Sequence, residues 1–349
     1  MFDIENLIIN AEMLQLISEI DEFKGKWELF RRMKPDRLKI LKKVATIESV
    51  GSSTRIEGSK LSDMEVEALL SNLEKRSFRT RDEQEVMGYA FACDEIFKSF
   101  LFMDFRENTI KQIHSWLLKY SLKDEYHRGY YKKTSNRVEA FDSSGKSLGI
   151  VFKTSEPFET PIQMKELVDW TNNFLEKKIL HPILVIGVFV LVFLKIHPFQ
   201  DGNGRLSRLL TSLLLLKTGY KYIFYSSLET VIEDNKENYY LSLRKTQKTL
   251  FKEKTNWEPW ILFFLKCLNK QKKVLENKIL KEKTLYYQYP KISSEILRFV
   301  EIHAKLKISE IEKLTKINRN TLKKHLKELV KIGHLIKHGK GRATWYSLF

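Results

Sequence analysis

Cysteine is scarce in this chain, with two residues, Cys93 and Cys267, among 349. They form no CxxC pair and no pairing with histidine, which argues against a disulfide scaffold and against a zinc site. We expect both to be buried, reduced thiols in a cytoplasmic protein. Proline and glycine are also few, at 7 and 14, which favours a helix-rich fold over a turn-rich β sandwich.

No apolar run suited to crossing a membrane stands out. The apolar run at residues 183–194 has twelve residues, whereas a membrane-spanning helix needs about 20. It predicts a core helix that is hydrophobic on every side. The first ten residues, MFDIENLIIN, carry early acidic residues and no small-residue cleavage site, so we expect no signal peptide and no membrane partner.

The charge balance is strongly basic, with 61 Lys and Arg against 44 Asp and Glu and a formal net charge of +17. Two interpretations stay open at this point. The first is a lysine-rich, solvated surface. The second is an anionic partner such as a nucleotide, a nucleic acid or an acidic protein surface.

The order of elements predicts three parts. Residues 1–98 are expected to form an N-terminal helical region, residues 99–282 a helical core with a small β-hairpin, and residues 290–349 a C-terminal unit. The expected fold class is therefore mainly α. A linker is predicted at residues 285–289, before the C-terminal unit.

Local signals refine two of these parts. The hairpin of the core is predicted to have strands at 137–141 and 148–153 around a turn at 142–145. In the C-terminal unit the pattern predicts three helices and a hairpin, with Ser309 and Glu312 as the capping box of the middle helix.

Chemistry-bearing residues crowd into the segment HPFQDGNGRLSR, residues 197–208, directly after the apolar run. A core helix would present His197 at its C-terminal end, where an imidazole that titrates near neutrality can accept a proton from a hydroxyl. Gly202 and Gly204 allow a positive φ, so successive N–H groups there can form an anion-binding nest. The N-terminus of the next helix would add further N–H donors.

Three charged side chains complete this segment. Arg205 and Arg208 are three residues apart, so both can face one ligand from the first turn of a helix. Asp201 is a hard oxygen ligand that suits Mg²⁺ bridging phosphates. A single His-Pro or a single GNG is usually a helix stop or a turn, but the combination predicts a nucleotide-phosphate site with a general base beside it.

The segment resembles the signature of the Fic family, His-x-Phe-x-Asp/Glu-Gly-Asn-Gly/Lys-Arg-x-x-Arg. It meets every specified position, namely His197, Phe199, Asp201, Gly202, Asn203, Gly204, Arg205 and Arg208. The resemblance covers about residues 100–275. It implies a protein adenylyltransferase, which transfers AMP from ATP to a Ser, Thr or Tyr hydroxyl of a target protein or of itself.

The resemblance also implies a role for each residue. His197 would be the base, Asp201 would hold Mg²⁺ on the phosphates, Arg205 would lie on the β-phosphate side and Arg208 would hold the γ-phosphate. The implied ATP site consists of Asp201, Gly202, Asn203, Gly204, Arg205, Leu206, Ser207, Arg208, Glu57, Tyr239 and Tyr240. The two tyrosines are almost as readily explained as core aromatics.

The hairpin would be a flap on which a target segment adds as a further strand. The Pro-Pro pair that usually follows the flap in the Fic family is replaced here by Thr154-Ser-Glu-Pro157. The register of the flap is therefore left open by the sequence.

A second motif lies upstream, in SSTRIEG at residues 52–58. Ser53, Glu57 and Gly58 match the Ser/Thr-x-x-x-Glu-Gly/Asn pattern of the Fic inhibitory helix, in the N-terminal position typical of class II members. On a helix Ser53 and Glu57 would share one face, so Glu57 could reach Arg208 and exclude the γ-phosphate.

The C-terminal unit resembles a winged helix-turn-helix domain. Such a domain binds either DNA or protein, and its basic residues fit phosphate contacts. These residues are Lys323, Lys324, Lys327, Lys331, Lys337, Lys340 and Arg342. Two classes of function stay open: an autoinhibited adenylyltransferase that could also remove AMP, and a DNA-binding regulator whose Fic core senses nucleotide. The resemblance also suggests a homodimer.

Overall fold

The structure is a computed structural model. It describes residues 4–30, 35–71, 78–141, 147–250, 254–288, 291–303, 305–339, 341 and 344–348. The chain divides into two compact units, Met1–Lys273 and Val274–Phe349. The mainly helical fold predicted from the sequence is confirmed, while the finer division into three domains stays a prediction.

The elements follow one another in this order. The helices are α1 (Ala11–Phe30), α2 (Pro35–Ile56), α3 (Asp63–Ser71), α4 (Arg81–Ser99), α5 (Glu107–Leu117), α6 (Thr160–Glu176), α7 (Pro182–Ile196), α8 (Asn203–Lys217), α9 (Leu228–Glu233), α10 (Lys236–Gln247), α11 (Glu258–Gln288), α12 (Lys291–His303), α13 (Ile308–Thr315) and α14 (Arg319–Lys331). A 3₁₀ helix spans Lys221–Tyr225, and the strands are β1 (Arg137–Phe141), β2 (Ser147–Lys153), β3 (Leu306–Lys307), β4 (Leu335–His338) and β5 (Trp345–Leu348).

The apolar run forms α7, the central helix of the first unit. All of its residues from 183 to 194 are buried. Trp260 of α11 donates its indole N–H to the carbonyl of Gly187 at 2.7 Å, and a Cβ on Gly187 would lie 3.0 Å from Ile261. Close packing of this kind makes α7 a rigid support for the loop that follows it. Within the described residues, none of the helices has the length and apolar character to span a membrane.

The sequence RLSRLLTSLLLLKTG, residues 205–219, predicts a second apolar helix that stops at Gly219, and α8 ends just before it, at Lys217. Gly219 has a φ of +93°. The N–H of Gly219 donates to the carbonyl of Leu216 at 3.0 Å, and the N–H of Tyr220 donates to that of Leu215 at 2.9 Å. Glycine adopts this left-handed conformation without steric cost, which is why it ends the helix.

The hairpin of the first unit is antiparallel, with Arg137 opposite Lys153 at its base. Strand β1 has the predicted bounds, and β2 begins one residue earlier than predicted. The register shifts between Val138 and Glu139 and again between Ala140 and Phe141. The predicted turn at 142–145 lies outside the described residues.

In its described residues the second unit, Val274–Phe349, contains the C-terminal part of α11, the helices α12, α13 and α14, and a three-stranded antiparallel sheet of order β3-β5-β4. One face of α14, with Leu322, Leu326 and Leu329, packs into a core that also contains Ile311 of α13 and Tyr346 of β5. The predicted sequence of three helices and a hairpin is present, and β3 adds a strand that the pattern did not indicate.

Two local predictions in this region are wrong. Helix α11 continues to Gln288, so residues 285–288 of the predicted linker are helical. The cap of α13 lies earlier than Ser309 and Glu312, because the helix begins at Ile308. There the N–H of Lys307 donates to the Glu310 carboxylate at 2.7 Å.

Candidate active site

Helix α7 ends at Ile196, and its C-cap residue His197 adopts a left-handed backbone conformation with a φ of 53°. This conformation costs roughly 1–2 kcal/mol in a residue with a Cβ. The following loop is held by a pair of reciprocal hydrogen bonds between Asn203 and Phe199. The Phe199 N–H donates to Asn203 Oδ1 at 2.9 Å, and Asn203 Nδ2 donates to the Phe199 carbonyl at 2.7 Å. The strained conformation of His197 is thus fixed from both sides, as is common at functional sites.

The protonation state of His197 follows from its surroundings. Its Nδ1 lies 3.3 Å from the carbonyl oxygen of Leu194, and a carbonyl only accepts hydrogen bonds, so Nδ1 carries the proton and Nε2 carries the lone pair. Burial lowers the pKa of His197 to about 4. The imidazole is therefore neutral at pH 7, in the form that can accept a proton.

A second histidine, His114 of α5, contacts the loop at Asp201 and Phe199. Its Nδ1 accepts the N–H of Gly129 at 2.8 Å, so Nε2 carries the proton and donates to the carbonyl of Asp201 at 3.0 Å. Its ring stacks on Phe199 with 3.9 Å between ring centroids. Burial lowers its pKa to about 4. Sequence reasoning missed His114, because a lone histidine in a helical stretch carries no signal of such a role.

The N-terminus of α8 provides the anion-binding part of the site. Gly202 has a φ of +80° and is the N-cap residue, and the Leu206 N–H donates to its carbonyl at 2.8 Å. The backbone N–H groups of residues 203–205, in the first turn of α8, therefore have no partner within the helix. Such groups can bind an anion. The expected positive φ is found at Gly202 and not at Gly204, which lies in the first turn of α8.

Arg208 of α8 is held by the upstream motif. Its side chain is 4% exposed and its Nη2 lies 2.8 Å from Glu57 Oε1. The same nitrogen donates to the Ser53 carbonyl at 2.9 Å, and Arg208 Nε donates to Ser53 Oγ at 2.8 Å. Helix α2 ends at Ile56, so Glu57 lies just beyond the helix that was expected to contain it. Gly58 follows with a φ of +108°.

The Glu57 carboxylate also lies against the first turn of α8. A Cβ on Gly204 would be 2.2 Å from Glu57 Oε1, so only glycine allows this approach. Burial alone would raise the pKa of Glu57, but Arg208, helped by Arg205 and His197, outweighs it and the pKa is lowered. A carboxylate anion thus lies at the helix N-terminus and on Arg208 at the same time.

Helix α4 anchors the other two charged residues of the loop. Arg205, 3% exposed, lies 3.2 Å from the Glu85 carboxylate and 3.5 Å from that of Asp201. Arg81 lies 3.6 Å from the second oxygen of Asp201. Burial would raise the pKa of Asp201, but Arg205, the Gly202 N–H and Arg81 lower it, so Asp201 is an ionised carboxylate. Glu85 and Arg81 were not identified from the sequence.

The remaining residues of the predicted site fall into two groups. Leu206 is fully buried and Ser207 Oγ donates to the Gly204 carbonyl at 2.7 Å, so these two can offer a ligand only backbone groups. Tyr239, 4% exposed, lies in an aromatic cluster with Trp260 and Tyr240. Burial raises the pKa of Tyr239 to about 12, although Arg208 acts in the opposite direction. The described residues contain no cluster of three or more His, Cys, Asp or Glu side chains that could hold a metal ion.

A profile of the Fic/DOC family matches residues 104–215, which include the loop and most of the helices around it. Over residues 104–215 this chain is thus similar to the Fic/DOC family. It is 26% identical to the protein adenylyltransferase Fic of Drosophila willistoni over 185 residues, which is 52% of this chain and 34% of that protein. It is 30% identical over 100 residues to a probable protein adenylyltransferase of Aquifex aeolicus, covering 29% of this chain and 28% of that one. This chain therefore spans about a third of the length of the curated relatives that it matches.

Solved structures share its fold. A Fic family protein from Desulfovibrio desulfuricans G20 aligns over 98% of this chain and 97% of its own, with a TM-score of 0.63 and 22% identity. Fic-1 from C. elegans aligns over 77% of this chain and 72% of its own, with a TM-score of 0.55 and 20% identity. These likenesses identify a mainly helical Fic fold, and the sequence relatives make the chain a distant homologue of protein adenylyltransferases.

Proposed function

We propose that this Fic protein transfers AMP from ATP to a Ser, Thr or Tyr hydroxyl of a target protein or of itself, and that Glu57 holds it in an inhibited state. One observation carries the proposal. A neutral histidine stands at the end of a rigid helix beside a helix N-terminus, and the Glu57 carboxylate lies on that N-terminus and on Arg208 at 2.8 Å. In this position the Glu57 carboxylate would occupy the site of a phosphate group.

In the proposed reaction His197 Nε2 takes the proton of the target hydroxyl. The hydroxyl oxygen then forms a bond to the α-phosphorus of ATP, the bond from that phosphorus to the bridging oxygen breaks, and pyrophosphate leaves. The first turn of α8 and Arg205 would hold the phosphates in place. Positioning and neutralisation of charge supply most of the rate in such a transfer.

Asp201 is the residue that would hold Mg²⁺. Magnesium is commonly bound by one or two protein carboxylates together with substrate phosphates and water, and a single ionised carboxylate beside the anion-binding turn fits that donor set. The ion would neutralise charge on the phosphates. We propose that it arrives with ATP, since Asp201 is the only carboxylate that we assign to it.

Inhibition would follow from competition for Arg208. The γ-phosphate cannot reach the guanidinium while Glu57 is bound to it, so ATP would bind with its α-phosphate out of line. A displacement of about 1 Å is enough to slow a reaction roughly 100-fold. The hydrogen bonds that Arg208 donates to Ser53 support this inhibited arrangement.

Two labels test the proposal in a Glu57→Gly variant with Mg²⁺. Label at the α-phosphate of ATP should appear on the protein, and label at the γ-phosphate should not, because pyrophosphate leaves. Wild-type protein is the control and should incorporate much less. Transfer of γ-label, or no α-label in Glu57→Gly, would refute the proposed reaction.

We propose DNA binding as a second function of the C-terminal unit, where the three helices and the sheet resemble a winged helix. Helix α14 exposes Lys323, Lys324, Lys327 and Lys331 on the surface opposite its buried leucines. Lys337 of β4 is exposed as well, while Lys340 and Arg342 lie outside the described residues. Binding of a random duplex should weaken with rising salt and in Lys323→Glu/Lys327→Glu, and no binding at low salt would refute it.

A further inference from the structure

Lys132 is a buried lysine at the base of the hairpin, with 4% of its surface exposed. Its ammonium group donates to three oxygens, Asn136 Oδ1 at 2.9 Å, Thr154 Oγ1 at 3.2 Å and the Ile196 carbonyl at 3.0 Å. An ammonium group has three donors, so all of them are used. None of the three acceptors is a carboxylate.

The three acceptors belong to two different parts of the first unit. Asn136 immediately precedes β1 and Thr154 immediately follows β2, so they are the two ends of the hairpin. Their side chains are joined as well, with Thr154 Oγ1 2.8 Å from Asn136 Oδ1. Ile196 is the last residue of α7 and is followed directly by His197. The ammonium group therefore connects the base of the hairpin to the end of the helix that presents the proposed base.

Two further hydrogen bonds strengthen this connection. The backbone N–H of Lys132 donates to the Pro198 carbonyl at 2.8 Å. Asn136 Nδ2 donates to the Phe199 carbonyl at 2.8 Å. Every carbonyl involved belongs to residues 196–199, so several hydrogen bonds join the hairpin base to the loop around His197.

The charge of Lys132 has its own consequence. Burial lowers the pKa of Lys132 to about 8, so the group is mostly charged at pH 7, at the negative end of the α7 dipole. The charged groups that act on His197 are Lys132, which lowers its pKa, and Glu57 and Asp201, which raise it. A neutral hydrogen-bonding side chain could make the same connection, but it would not favour the neutral imidazole.

We propose that Lys132 is a positioning residue for AMP transfer, which, with Asn136 and Thr154, fixes the hairpin that would carry the target segment relative to His197. The inference rests on the proposed function, since it assigns the hairpin and His197 to one reaction. Lys132 acts on the protein substrate and on the base, so its loss should leave ATP binding unchanged.

The test uses the full chain in the Glu57→Gly background. In Lys132→Met the rate of AMP transfer should fall about 10-fold or more, since small displacements of reacting groups have large effects on rate. The Kd for ATP should stay within about 2-fold, because that affinity is set by phosphate contacts away from Lys132. The His197 pKa, measured by NMR titration of the histidine ring protons, should rise. Lys132→Arg should keep that pKa low because it keeps the charge.

Lys133→Met is the matched control, because Lys133 is the neighbouring lysine and is exposed; it should change none of the three quantities. If Lys132→Met does not fold, Thr154→Val tests the inference instead, because it removes a single hydroxyl from the same hydrogen-bonded connection. It should lower the rate of AMP transfer without changing the Kd for ATP. Unchanged transfer in either folded variant, or an equal loss in ATP affinity, overturns the inference. Absence of transfer in Glu57→Gly itself would instead refute the proposed function.

Discussion

Substitution of Glu57 by alanine should destabilise the protein in the absence of nucleotide. The change leaves Arg208, 4% exposed, without its carboxylate partner. Removing one member of a buried ion pair costs about 3–5 kcal/mol. Because 31% of the Glu57 side chain is exposed and Arg208 keeps its hydrogen bonds to Ser53, we expect about 2–3 kcal/mol of lost stability. At about 2–4 °C per kcal/mol, the thermal midpoint should fall by about 5–10 °C.

The same variant should gain more than wild type from ATP. In wild type the triphosphate must displace the Glu57 carboxylate, whereas in Glu57→Ala it supplies the anion that Arg208 has lost. At a ligand concentration of about 100 Kd, a ligand that binds only the folded state adds about 2.7 kcal/mol. Thermal unfolding with and without Mg²⁺ and ATP measures both quantities. Equal midpoints without nucleotide, or equal shifts on adding it, would refute the competition between Glu57 and phosphate.

Glu57→Gln is the matched control for charge, since glutamine keeps the size and can still accept a hydrogen bond from Arg208. The pKa of Glu57 is lowered in the folded protein, so its contribution to stability is complete above the ordinary value of about 4.3 and is lost as pH falls through the lower folded value. The difference in stability between wild type and Glu57→Gln should therefore be constant near neutral pH and shrink in acid below about pH 4.

Two other substitutions test separate parts of the site. Gly204→Ala places a Cβ 2.2 Å from Glu57 Oε1, so it should displace Glu57 from Arg208. The rate of AMP transfer should then rise in the otherwise wild-type protein and change much less in the Glu57→Gly background. Equal effects in both backgrounds would contradict this coupling. His114→Ala removes the stack on Phe199 and two buried hydrogen bonds, so urea unfolding should show a loss of about 3 kcal/mol, and an unchanged urea midpoint would contradict the supporting role.

The sequence was most informative where local chemistry determines structure. The apolar run, the stop at Gly219 and the strands on either side of the predicted turn were all read from neighbouring residues, because periodicity and glycine act over a few positions. The signature from His197 to Arg208 is also local, and the structure arranges it as the loop after α7 and the first turns of α8. Those predictions needed no knowledge of distant contacts.

Other features depend on residues that are far apart in the chain. His114 contacts Asp201 across 87 residues, and Glu85 pairs with Arg205 across more than 100. Lys132 looks like any surface lysine in the sequence, but in the structure it is buried and donates to the carbonyl of Ile196, 64 residues away. Such contacts have no period or spacing that a pattern could detect, so only the tertiary structure identifies them.

The extent of helices was the other weak point. Helix α11 continues to Gln288 because residues 260–288 contain no proline or glycine, although a linker was predicted at residues 285–289. Helix α2 ends one residue before Glu57, since the positive φ of Gly58 leads the chain out of the helix. Propensity predicts that an element exists better than it predicts where the element ends.

The central claim is that Glu57 restrains a transfer site whose base is His197. Its most direct test is the initial rate of α-label incorporation from ATP in three proteins, wild type, Glu57→Gly and Glu57→Gly/His197→Ala, measured in one assay with Mg²⁺. We predict a rate in Glu57→Gly that is at least about 10-fold above wild type and no incorporation above background in the double variant. Equal rates in wild type and Glu57→Gly, or incorporation that persists without His197, would contradict the claim.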